Sequence, residues 1–277
     1  MVSFITQKGI DINMFDYHTH TNFSDDSTAP MEDMVRSAIR KGIKEIAITD
    51  HFDPDYPDET MPFDQDFASC RKEMERVKRI YANDITVIKG IEVGIQDGNT
   101  AQICSNIATE YDYDFIIGSF HSACGATLDQ PEFHRERDSI KATVDYYEYV
   151  YKCIQEYNDY DVLGHINVID RYVDEIPPKR YYSDQVETIL KHLVENGKGL
   201  EINTSSFRYG LGDRTTPPID ILRLYVELGG EIITTGSDAH RPEDVGYMLE
   251  FSQRMIQKAG HNHVATFHGR KLIQHKL

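Results

Sequence analysis

Positive charge is scarce in this sequence relative to negative. Its 29 lysines and arginines stand against 46 aspartates and glutamates in 277 residues, a formal net charge of -17. Nucleic-acid backbones and anionic membrane faces attract basic surfaces, so this balance argues against both as partners and for a small molecule. Cysteine is scarce too. Cys70, Cys104, Cys124 and Cys153 form no C-x-x-C pair, which points to a reducing compartment rather than a disulfide framework. No apolar run reaches the roughly eighteen residues of a membrane span, and the first residues lack an apolar signal core. The expected location is the cytoplasm. Repeats, low-complexity tracts and Ser/Gly-rich linkers are also missing, so residues 14–277 are expected to form one unit. Residues 1–13 precede a second methionine, Met14, and are set apart as an arm without assigned function.

What is present is an alternation of short β-rich apolar runs with amphipathic stretches, the pattern of a parallel sheet with crossover helices. Strands are expected at 14–17, 45–49, 86–93, 114–119, 161–164, 199–203 and 231–236. Helices are expected at 31–41, 67–81, 139–157, 184–196, 219–228 and 244–258. In the first of these, Met31, Met34, Val35, Ala38 and Ile39 recur at helical spacing and Gly42 stands where a helix would stop. Roughly seven strands in this alternation suggest a closed or nearly closed (β/α) barrel. A doubly wound open sheet is the second choice, weakened because no glycine-rich dinucleotide loop follows the first strand.

The polar residues fall at the strand ends. His18-Thr19-His20 follows the first strand and Asp50-His51 the second, while Glu92 sits near the end of the third. The fourth runs into His121, the fifth into His165, the sixth into Asn203, and the seventh into Gly236-Ser237-Asp238-Ala239-His240. In a parallel barrel these ends share one face, so residues scattered along the chain converge. Each alone has a bland explanation, since a lone histidine is more often a hydrogen-bonded or surface residue than a ligand. The H-x-H pair is stronger, because alternate strand residues share a face and two imidazoles can grip one ion. Glu92 lies in an otherwise apolar strand, and a buried carboxylate without a cation or donors costs several kcal/mol. Together the strand ends imply a metal site. His134, His192, His261, His263, His268 and His275 stay outside it, on expected helices, loops or the tail. The tyrosine-rich stretch 146–151 reads as a helix packed on the barrel, and the acidic run 53–66 as a solvated loop placed to cover part of the site.

The set H-T-H-T-N-F-S-D-D-S, I-T-D-H, G-I-E-V-G, G-S-F-H, G-H-I-N-V-I-D-R-Y, L-E-I-N-T and G-S-D-A-H resembles the PHP (polymerase and histidinol phosphatase) superfamily, and within it the histidinol-phosphate phosphatases. The resemblance runs from about Asp16 to the tail. It implies a distorted (β/α)7 TIM-like barrel holding two or three divalent ions, manganese, iron or zinc. By motif position His18, His20, Glu92 and Asp238 would hold the first ion. Glu92 would bridge to a second, held by His121 and His165. A third would take His51, His240 and a residue eight positions after His18, where many relatives have histidine and this chain has Asp26, with Asp25 as its competitor. A carboxylate there shifts preference toward manganese or iron(II) over zinc.

The implied activity is hydrolysis of a phosphate monoester, L-histidinol phosphate, in histidine biosynthesis. A water between two ions supplies hydroxide, and the ions clamp the phosphate during in-line attack. Asp238 or His240 would protonate the leaving alkoxide. Arg171, six residues past His165, is the expected phosphate fork, with Arg208 as second choice. Three rivals stand beside this reading: a PHP-family phosphoesterase acting on nucleotides or another small ester, an amidohydrolase-like enzyme, whose class usually bridges its metals through a modified lysine where the bridging candidate here is Glu92 with Lys89 three residues before it, and a non-catalytic metal-stabilised module. The last is disfavoured because a structural site is usually closed by four ligands.

Overall fold

The computed structural model describes residues 13–63, 65–212 and 214–277, so all but Asn13 of the N-terminal arm lies outside the described residues. The chain begins β1 (Phe15–Asp16), α1 (Met31–Arg40), β2 (Glu45–Ile48), β3 (His51–Phe52), α2 (Phe67–Ile80), β4 (Thr86–Gly94), α3 (Thr100–Glu110) and β5 (Phe115–Ser119). A small hairpin, β6 (Ser122–Ala123) and β7 (Ala126–Thr127), precedes α4 (Pro131–His134) and α5 (Ser139–Glu156). Then come β8 (Val162–Leu163), α6 (Ser183–Glu195), β9 (Gly199–Asn203), α7 (Ile219–Glu227), β10 (Ile233–Gly236) and α8 (Leu249–Lys258). The chain ends in a hairpin, β11 (His263–His268) and β12 (Lys271–Lys276).

The strands run parallel in the order β1-β2-β4-β5-β8-β9-β10. The two edges meet: Tyr17 N donates to Thr235 O (2.9 Å), Asp238 N to His18 O (2.8 Å) and His20 N to Ala239 O (2.9 Å). The sheet thus closes as a distorted barrel, and the open-sheet alternative falls away. β2 pairs with the first half of β4 and β3 with the second, in a register that sets His51 beside Glu92.

Local chemistry explains the helices. Met31, Met34, Val35 and Ala38 form the buried stripe of α1, packed with Ile46, Ile48, Met74 and Val77. Each such apolar side chain contributes roughly 1.5–3 kcal/mol when buried. Asp66 and Asp138 cap α2 and α5 by accepting from Ser69 N and Lys141 N. The tyrosine-rich stretch does lie on a packed helix, with Tyr146, Tyr147 and Tyr149 of α5 buried. No helix among the described residues is long and apolar enough to cross a membrane.

Besides the short β3, β6, β7 and α4, which were not expected, three longer elements differ from expectation. The last long helix starts at Leu249, not at 244, because Gly246 and Met248 adopt φ of +74° and +57° and the Asp16 carboxylate holds Gly246 N. Helix α3 was not expected; it buries only Thr100 and Cys104, so its sequence carries little periodicity. The tail is a hairpin turning at Gly269-Arg270, both with positive φ. It closes the N-terminal end of the barrel, where Arg270 pairs with Asp161 (2.6 Å) and Tyr17 Oη donates to Glu45 (2.5 Å) and accepts from Phe267 N (3.0 Å).

Candidate metal centre

At the other end of the barrel the strand termini converge. Glu92 is fully buried and divides its two oxygens between two sets of imidazoles. Oε2 lies 3.0 Å from His18 Nε2, 3.4 Å from His20 Nε2 and 3.1 Å from His51 Nδ1. Oε1 lies 2.9 Å from His165 Nε2 and 3.3 Å from His121 Nε2. Asp238 Oδ1 faces His20 Nε2 at 3.4 Å and His18 Nε2 at 3.8 Å, while its Oδ2 accepts from Ser205 Oγ (2.9 Å) and Asn203 Nδ2 (3.2 Å). Asp26 Oδ2 lies 2.9 Å from His240 Nε2 and 3.5 Å from His51 Nε2. Asp25 instead accepts from Phe63 N (2.8 Å). Every expected ligand therefore sits in one cluster, and of the two competing aspartates Asp26 faces the imidazoles.

The donor set suits divalent cations. His18, His20 and Glu92 offer ligand atoms within 4.8 Å of one another, as do Glu92, His121 and His165, and also His20, His51 and His240. Among the described residues His20 Nε2, His51 Nδ1 and His240 Nε2 are buried and form no hydrogen bond, although carboxylate oxygens lie 3.4, 3.1 and 2.9 Å away. A buried polar atom left unpaired costs about 1–3 kcal/mol, and ions shared by these nitrogens would remove that cost.

Electrostatics point the same way. Burial opposes ionisation of Glu92, yet His18, His51 and His121 outweigh it and hold the carboxyl well below the usual carboxylate range. Burial likewise opposes charge on Asp238, and His18, His20 and His240 overcome it. Burial and the neighbouring imidazoles of His240 and His51 push His20 down to about 3. His51 resists its own burial through Glu92 and Asp26 and is raised to about 9. Where carboxylates hold imidazoles protonated, a metal ion can take the proton's place.

Beside the cluster lies a cavity of about 440 Å³ lined by His51, His121, His165, Arg171, Tyr209 and Asp238. The Arg171 guanidinium stacks over Tyr209 (4.4 Å), contacts Ser205 Oγ through Nη2 and leaves its buried Nε without a partner. Arg208 borders an adjoining cavity, but its Nη2 donates to the carbonyls of Ser237 and Asp238, both at 2.8 Å. It thereby braces the turn in which Asp238 adopts φ +54°. Lys89 Nζ is 3.6 Å from Glu75 and 3.8 Å from Asp112 and makes no ion pair with the cluster.

Sequence reasoning passed over two carboxylates. Asp53 opens the run read as a solvated loop, but it is buried and its Oδ2 lies 2.6 Å from His121 Nδ1. Later in that run Phe63 is also buried, its ring 4.7 Å from that of His51. Glu201, buried in β9, lies 2.6 Å from His18 Nδ1. A carboxylate within an apolar strand was the signal that singled out Glu92, and it applies equally to Glu201.

A family model described as the PHP domain matches residues 16–205. The chain belongs to the PHP domain family. Similar curated proteins include the histidinol-phosphatase of Lactococcus lactis subsp. lactis, 29% identical over 267 residues, covering 94% of this chain and 97% of that protein. A probable histidinol-phosphatase of Clostridium acetobutylicum is 29% identical over 248 residues, covering 88% and 93%. Among solved structures, the PHP chain is similar to the L. lactis histidinol phosphate phosphatase complexed with zinc, L-histidinol and phosphate: TM-score 0.85, 26% identity, 94% of this chain and 99% of that one. A putative histidinol phosphatase from Listeria monocytogenes shares the fold (TM-score 0.74, 23% identity, 86% of this PHP chain and 99% of that one).

Proposed function

We propose that this PHP protein is a metal-dependent phosphomonoesterase that hydrolyses L-histidinol phosphate to L-histidinol and phosphate. The observation that carries this is the division of Glu92 between two sets of imidazoles beside a cavity that holds an arginine. End-to-end similarity to histidinol-phosphatases supports the choice of substrate. In this reading residues 14–277 act as one catalytic unit, and the four free cysteines fit a reducing compartment such as the cytoplasm.

Two or three divalent ions, manganese, iron or zinc, would be held by these side chains. His18, His20, Glu92 and Asp238 serve one, Glu92, His121 and His165 a second, and Asp26, His51 and His240 a third. Such ions would supply a nucleophile at neutral pH by acidifying water and would offset charge on the phosphoryl oxygens. Arg171 orients the ester by donating to its non-bridging oxygens, and Tyr209 and Ser205 hold that guanidinium in place. Arg208 steadies the Asp238 turn and leaves Nη1 for the phosphate side. The departing alkoxide needs a proton, and we assign its delivery to His240 in a two-ion form of the centre, because Asp238 is held ionised whereas Asp26 and Asp238 keep His240 protonated against its burial. The test is a panel of phosphate esters assayed with manganese. Histidinol phosphate should show a higher kcat/KM than nucleoside monophosphates or an aryl phosphate; equal or better rates on nucleotides would redirect the assignment.

A further inference from the structure

Two buried carboxylates stand behind the imidazoles of the cluster: Glu201, and Asp53, whose Oδ1 also lies 3.9 Å from His51 Nδ1. Across the mouth of the barrel runs a chain of alternating acids and imidazoles: Glu201, His18, Glu92, His121, Asp53. Its links are Glu201 Oε1 to His18 Nδ1 (2.6 Å), His18 Nε2 to Glu92 Oε2 (3.0 Å), Glu92 Oε1 to His121 Nε2 (3.3 Å) and His121 Nδ1 to Asp53 Oδ2 (2.6 Å). Each outer acid thus meets the nitrogen opposite the one that faces Glu92.

Building these acids into the interior has a cost, because a buried carboxylate is unfavourable unless well compensated. Yet the Asp53 carboxylate has His121 as its one hydrogen-bond partner among the described residues, and Oδ1 has none. A purely structural acid would be expected to tie up more of its neighbours. The strands also leave room for both acids. A Cβ at Gly94 would overlap the Asp53 carboxylate, and one at Gly236 would come within 2.5 Å of Glu201 Oε1. The glycine that closes G-I-E-V-G is therefore small to admit Asp53, and the one that opens G-S-D-A-H to admit both His18, whose Cβ would lie 2.4 Å away, and Glu201.

An imidazole presents Nε2 to a cation only while its proton sits on Nδ1. A carboxylate accepting from Nδ1 holds that tautomer, fixes the ring and strengthens Nε2 as a donor. We propose that Asp53 and Glu201 are positioning residues for the metal centre, Asp53 acting through His121 on the Glu92–His121–His165 ion and Glu201 through His18 on the His18–His20–Asp238 ion. This rests on reading the cluster as a metal centre. Glu201 has a second duty, since its Oε2 accepts from His165 N (2.9 Å), so Asp53 is the cleaner probe.

The experiment is chelator-competition titration of folded apoprotein with zinc or manganese alone, on wild type, Asp53→Ala, Asp53→Asn, Glu201→Gln and Gly94→Ala. Asp53→Ala should weaken one class of ion about 10- to 100-fold and leave the other class in place. Asp53→Asn should recover part of the loss, because its amide oxygen can still accept from Nδ1. Gly94→Ala, which replaces no proposed ligand, should move affinity in the same direction as Asp53→Ala. The manganese concentration for half-maximal activity should rise in step, with activity lost at low manganese regained at high manganese. A structural role would lower apoprotein melting temperature without moving metal affinity. Affinities within threefold of wild type for both Asp53→Ala and Gly94→Ala would overturn the inference, and Gly94→Ala decides it alone if Asp53→Ala does not fold. A wild-type protein that binds no ion would overturn the metal-centre reading and this inference with it.

Discussion

Replacing Arg171 with methionine keeps most of the volume of a side chain packed on Tyr209 and removes its guanidinium. That side chain is 12% exposed, so its contact to a phosphoryl oxygen would form largely out of water. Losing one charge-assisted contact in such a place should cost about 2–4 kcal/mol of transition-state binding. The corresponding fall in kcat/KM is roughly thirtyfold to thousandfold. Arg171 also lies 3.8 Å from Asp238, but that carboxylate keeps its hydrogen bonds from Ser205 and Asn203 when the guanidinium is removed, so metal content should not change. Arg171→Lys should recover only part of the loss, because an ammonium cannot keep the Tyr209 stack and fork onto phosphate at once. Steady-state kinetics on histidinol phosphate, alongside elemental analysis of both variants, tests this. A loss below threefold in both would refute the assignment and make Arg208 the next residue to change.

Protein purified without chelator should retain more than one divalent ion per chain by elemental analysis, and stripping them should abolish turnover; undiminished activity in chelator would contradict the metal mechanism. Glu92→Gln and His121→Ala should each abolish turnover while circular dichroism stays native, because both residues stand at the rim of a barrel whose core they do not fill. Arg270→Met, at the opposite end, leaves Asp161 buried without its cation. It should lower stability by about 3 kcal/mol in urea denaturation without changing kcat. Asp66→Ala removes the cap of α2 and should cost about 1 kcal/mol by the same assay.

Much of the site was legible because a parallel barrel makes strand ends equivalent. Once seven strands were placed, His18, His20, His51, Glu92, His121, His165, Asp238 and His240 had to share one face, and they do. The acidic run 53–66 misled for a physical reason. Charge density suggests solvent, whereas Asp53 follows β3 by one residue and is drawn in beneath His121.

The hydrophobic alternation and the residue types at strand ends were sufficient for the barrel, the cluster of imidazoles and carboxylates, and the face they occupy, because these follow from local periodicity repeated along the chain. Which atom meets which was decided only by tertiary structure. The split of Glu92 between two sets, the choice of Asp26 over Asp25 and the pairing of His18 with Glu201 across 183 positions depend on strand register, loop closure and the space that glycines leave. The hairpin that seals the barrel floor is of the same kind: its value lies in contacts with Asp114 and Asp161, acids far from it in sequence that only the closed barrel brings within reach.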